Sequence, residues 1–201
     1  MRSLALLVVL LAGPAISGVE PSRLTEAART QIGVTVTYDP AYAALAFPGG
    51  DLPRDRGVCT DVVIRALRDA WGIDLQLAVH RDMAGHFAAY PPLWGLTRPD
   101  RNIDHRRVPN LRTLLTRIGA DLPLTDGPTP YLPGDIITWT LPGNLSHIGI
   151  LSDRRTEDGI PLVLHNIGVG AHEEDILFAY PMTGHYRIGA DEADRLKSLT
   201  R

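Results

Sequence analysis

Disulfide pairing is the first thing this chain lacks: its 201 residues carry one cysteine, Cys59, so no intrachain bridge can form. Charge of one sign is also scarce. The formal net charge is −3 with both signs mixed throughout, and no basic block is large enough for a nucleic-acid footprint. The chain has no apolar run near the roughly 20 residues that cross a bilayer. Its longest, Leu4 to Ala12, is about half of that. Internal repeats and low-complexity stretches are missing too, which argues against solenoids and disordered linkers. What remains is 44% hydrophobic and 21% charged residues, enough for one ordinary globular core.

The short apolar run follows Met1-Arg2, is broken by Gly13-Pro14, and ends on the small residues Ala15-Ile16-Ser17. That order is the layout of a secretory signal peptide. Residues 1–17 are expected to be removed, leaving 18–189 as a single domain and 190–201 as a polar tail. The expected location is periplasmic or secreted, with no membrane span after cleavage. A lone thiol in such a compartment needs either burial or a task.

Helical spacing marks three segments: Pro21 to Ile32, Cys59 to Trp71 and Asn110 to Ile118, with a shorter helix over 81–90 stopped by Pro91-Pro92. Val34 to Tyr38 reads as a short strand, and 39–58, rich in Pro, Gly and Asp, as a long structured loop. From residue 130 the pattern turns to β: Asp135–Thr140, His147–Leu151, Leu162–His165 and His185–Ile188. Helices first and an antiparallel meander afterwards is an α+β arrangement.

Cys59 stands where a helix begins, and a helix N-terminus favours a thiolate. A nearby imidazole is the second device that lowers a thiol pKa. His147 opens one strand and His165 lies on the next, so an antiparallel pairing brings them together, His147 as base and His165 as the group that orients it. Asn166 is the rival for that orienting position, since neighbouring strand residues face opposite ways. Asp104 and Arg106, in the run Asp104-His105-Arg106-Arg107, read either as a clamp for a substrate carboxylate or as an ion-pair cluster fixing a loop. Asp61 and Arg65 are spaced as a helix-surface or structural pair, and Asp135 as a turn cap. His80 and His86 are not at the helical spacing of a zinc pair, so neither a metal nor a cofactor is expected.

Gly57-Val58-Cys59-Thr60-Asp61, Pro133-Gly134-Asp135-Ile136-Ile137-Thr138-Trp139, Ser146-His147-Ile148-Gly149-Ile150 and Val163-Leu164-His165 occur in the order of the NlpC-type cell-wall cysteine peptidases and resemble their segments. More closely, residues 38–187 resemble the YijF-like bacterial family of unknown function. The shared strings are Tyr38-Asp39-Pro40, the Cys59 segment, the run from Asn102 to Leu111, and His165-Asn166-Ile167-Gly168. The resemblance implies a papain-like fold with N-terminal helices packed on an antiparallel meander. It implies an exported amidase or endopeptidase acting on peptidoglycan peptide stems through Cys59, His147 and His165, with Tyr38 lining the acyl side. Acyl transfer by the same residues, and a non-catalytic envelope binding module, are the alternatives.

Overall fold

The computed structural model describes residues 19–124 and 130–201; the expected signal segment lies outside them. The order is α1 (Pro21–Arg29), β1 (Thr37–Tyr38), β2 (Arg56–Gly57), α2 (Cys59–Trp71), α3 (Leu75–His86), α4 (Val108–Arg117), β3 (Asp121–Leu122), β4 (Ile136–Leu141), β5 (Leu145–Arg155), β6 (Pro161–His165), β7 (His172–Glu174), β8 (Met182–Tyr186) and α5 (Ala190–Thr200). Six of the strands form one antiparallel sheet in the order β3-β8-β4-β5-β6-β7. The meander is therefore β4 to β7, and β8 returns to the other side of β4.

The apolar stripe of α2 decides how the layers stack. Val62, Val63, Ala66 and Leu67 are buried against Leu24 and Ala28 of α1, and the same core takes Ile136, Ile148, Ile150 and Leu164 from one face of the sheet. The alternate strand residues Ile137, Trp139, Leu151 and Val163 close a second, smaller core with Leu177 on the opposite face. At about 25 cal/mol per Å² of apolar surface removed from water, these two cores are the main driving force for the fold.

Three expectations need correction. The segment 190–201 is not a tail but α5, whose Ala193 and Leu196 are fully buried and whose Asp191 and Glu192 sit at the favourable N-terminal end. The helix expected over 81–90 begins earlier, at Leu75, because Asp74 caps it by accepting the N–H groups of Gln76 and Leu77 at 3.0 and 3.3 Å. Asp61 and Arg65 do not pair with each other. Arg65 is fully buried on Asp51 at 2.9 Å, and Asp61 is buried on Arg106 at 2.9 Å.

Candidate active site

Cys59 is the first residue of α2, as its position in the sequence suggested. The Asp61 carboxylate accepts the Val58 N–H at 2.7 Å and fixes the helix start. Gly57 lets the preceding strand lie against it: a Cβ there would come within 2.9 Å of Asp61 Cβ. The backbone N–H groups of Ile148 on β5, and of Thr60 and Cys59 at the helix tip, face the thiol and act to lower its pKa.

That contact with Ile148 follows from where β6 stops. Leu151 pairs with Val163 and Ile150 with Leu164, and the strand ends at His165. Among the described residues Ile148 has no pairing partner on β6, and its N–H faces the cysteine. Asn166 leaves the strand: its Nδ2 donates to Gly57 O at 3.1 Å, and its Oδ1 accepts from Gly168 and Gly170. It ties the end of β6 to the residue two before the cysteine, and His165, not Asn166, meets His147.

The His147 and His165 rings are edge-to-face, with His147 Nε2 3.1 Å from His165 Nδ1. They are not directly opposite. Gly149 stands beside His165, and a Cβ on it would lie 2.6 Å from Val163 Cγ1 and 3.2 Å from His165 Cβ. The absent side chain lets His147, two residues along, reach diagonally across the strands. Trp139, the cross-strand partner of His147, covers the imidazole at a centroid distance of 5.7 Å.

Behind His165 stands Glu174 of β7, its Oε2 3.3 Å from His165 Nε2, although the two are off the line of a full hydrogen bond. Sequence reasoning missed this residue, whose strand is three residues long. Its charge has a consequence for protons. A carboxylate at that distance favours a hydrogen on His165 Nε2, which leaves His165 Nδ1 bare. Bare Nδ1 accepts from His147 Nε2–H, and His147 Nδ1 is then the free basic nitrogen. Among the described residues, nothing else hydrogen-bonds to it.

The resting charge state differs from the expected one. Burial pushes the Cys59 thiol up to about 12, the Ile148 N–H pulls against this, and the Asp61 carboxylate adds to the rise. Burial, with His165 beside it, lowers His147 to about 3. Thiol and neutral imidazole are the resting forms. The helix tip is present, but with Cys59 only 6% exposed desolvation outweighs it.

Cys59 forms the floor of a cleft of about 510 Å³ lined by Tyr38, Trp94, Arg107 and the β4–β5 turn at Asn144 to Ser146. Tyr38 is raised by burial and then by its neighbour Cys59. Arg106 also borders the cleft, but its donors are engaged: Nε and Nη2 with Asp61, Nη1 with Ala41 O, Nη2 with Asp39 O. Asp104 borders a neighbouring cavity and is paired with Arg107 at 3.0 Å. Both side chains tie down the loops around the cleft; the clamp reading finds no free fork. Asp135 does cap a turn, accepting Leu132 N–H at 2.9 Å, and also holds His185 and Arg187. Among the described residues, no three His, Cys, Asp or Glu side chains converge to hold a metal ion.

Residues 25–188 match the family described as Domain of unknown function (DUF1287). The chain belongs to that family. It is also similar to the uncharacterized protein YijF of Escherichia coli strain K12, with 57% identity over 164 residues covering 82% of this chain and 80% of that protein. No solved structure matches the chain. Among the described residues no helix is long and apolar enough to cross a membrane.

Proposed function

We propose that this protein is a thiol hydrolase of amide bonds, with a papain-like arrangement of the NlpC type, acting outside the cytoplasmic membrane on the peptide stems of peptidoglycan. The observation that carries the reading is the line Glu174–His165–His147, ending in a buried imidazole on the strand whose next N–H faces Cys59 and lowers its pKa. Substrate and setting rest on the resemblance in the Cys59, His147 and His165 segments and on the N-terminal pattern.

In this mechanism His147 Nδ1, which makes no hydrogen bond to the resting thiol among the described residues, takes the thiol proton as sulfur attacks the carbonyl, so the thiolate need exist only during attack. The tetrahedral oxyanion is held by the Cys59 N–H at the tip of α2, which faces sulfur at rest and the adjoining oxyanion once sulfur carries the acyl group. His147 then returns the proton to the departing amine, which leaves an acyl thioester on Cys59 for water to hydrolyse. His165 and Glu174 keep the imidazole in the tautomer that this cycle requires.

The test is amine release from purified sacculi and from defined stem peptides, comparing the native protein with Cys59→Ala. Release by the native protein and background rates for the variant are expected. Equal rates, or no release from any stem peptide, would overturn the reading.

A further inference from the structure

Next to the cysteine cleft lies a second cavity of about 240 Å³, walled by apolar side chains including Met83, Phe87 and Leu96. Leu93 and Trp94 line both spaces and form the partition. Trp94 holds a left-handed backbone, φ +64°, which is costly for a bulky residue and is found at ligand clamps. Arg107 stacks on its ring at 4.0 Å and pairs with Asp104 of the cavity wall.

The cavity contains one unanswered polar group. Asn110 is 1% exposed, and its Oδ1 has no partner. The amide orientation is settled by its other end, since Nδ2 donates to Asp104 O at 3.1 Å and faces Asp104 Oδ1 at 3.5 Å. A flipped amide would set oxygen against two acceptors. A buried acceptor without a donor costs free energy until a ligand supplies one. Asp104 is already balanced by Arg107, so the cavity has no net charge to offer an ammonium, and its oxygens repel an anion.

We propose that this cavity is a specificity subsite for an uncharged, bulky apolar group carrying one N–H or O–H donor, which hydrogen-bonds to Asn110 Oδ1. The size fits an aromatic bicycle: an apolar cavity of about 150 Å³ already takes benzene. This rests on the hydrolase reading only in calling the group part of a substrate whose amide lies over Cys59. The segment Ile103 to Asn110 lines both spaces, which gives the Asp104–Arg107 run a task in shape.

The test uses protein labelled with ¹³C at the methionine methyls, titrated with indole and with 1-methylindole, which lacks the donor. Expected is a saturable shift of Met83 with Met182, packed in the far core, unmoved. Indole should bind at least about fivefold more tightly than 1-methylindole, the effect of one satisfied buried acceptor. In Asn110→Leu that preference should vanish while Met83 still responds. No Met83 shift with millimolar indole, or equal affinity for the two probes, would overturn the proposal. If Asn110→Leu does not fold, the two probes on native protein decide it. The titration is repeated on Cys59→Ala, where binding should persist. Failure of the hydrolase reading would thus show in amine release alone, and failure of the subsite in the Met83 shifts alone.

Discussion

A resting Cys59 thiol, not a thiolate, is a claim that alkylation measures directly. With its pKa pushed up to about 12, the thiolate fraction at pH 7.5 is about 3 × 10⁻⁵, against about one in ten for an unperturbed cysteine near 8.5. Ionisation alone therefore makes Cys59 about three thousand times slower toward iodoacetamide, and its 6% exposure slows it further. The assay is intact mass against time for native protein and for protein unfolded in denaturant, from pH 6 to pH 10. The unfolded rate should level off near pH 9, while the native rate should keep rising about tenfold per pH unit. His147→Ala should change the native rate little, because a neutral imidazole adds no positive charge beside sulfur. Native alkylation at pH 7 as fast as that of a free cysteine, together with its loss in His147→Ala, would show a preformed ion pair and refute the neutral resting state.

Other consequences follow from the same geometry. His147 and His105, both buried, titrate near 3 in the fold against about 6.5 unfolded, so the unfolded chain takes up more protons below 6.5. Stability should therefore fall as pH drops from about 6.5 toward 3, by about 1.4 kcal/mol per pH unit for each histidine. Urea unfolding at pH 6.5 and 5 should differ by about 3 kcal/mol, and a flat profile would contradict the burial argument. Glu174→Leu should release the tautomer bias, so ¹⁵N imidazole spectra should change from a bare His147 Nδ1 to a mixture; unchanged spectra would remove Glu174 from its role. Gly149→Ala sets a methyl 2.6 Å from Val163 Cγ1 and should cost about 1–3 kcal/mol in denaturant melts, with wild-type stability refuting the close approach.

Local patterns in the sequence carry much of this arrangement. The start of α2 at Cys59 and its end at Trp71 follow from apolar spacing and Gly72, and the meeting of His147 with His165 follows from adjacent antiparallel strands. What escapes is set by distance along the chain. The Arg106–Asp61 pair spans 45 positions, and the Asn166 tie to Gly57 spans 109. The charge state of Cys59 escapes as well, because helix position is visible in a sequence and desolvation is not. α5 reads as a tail because only Ala193 and Leu196 are buried in a run that is otherwise polar, although their spacing by three and the leading acids are the signs of a docked helix.

The most direct test is mass spectrometry of an acid-quenched reaction with a defined stem peptide. The account predicts an acyl thioester on the Cys59 peptide, absent in Cys59→Ala and strongly reduced in His147→Ala. An adduct on another residue, or hydrolysis that proceeds unchanged in Cys59→Ala, would contradict it.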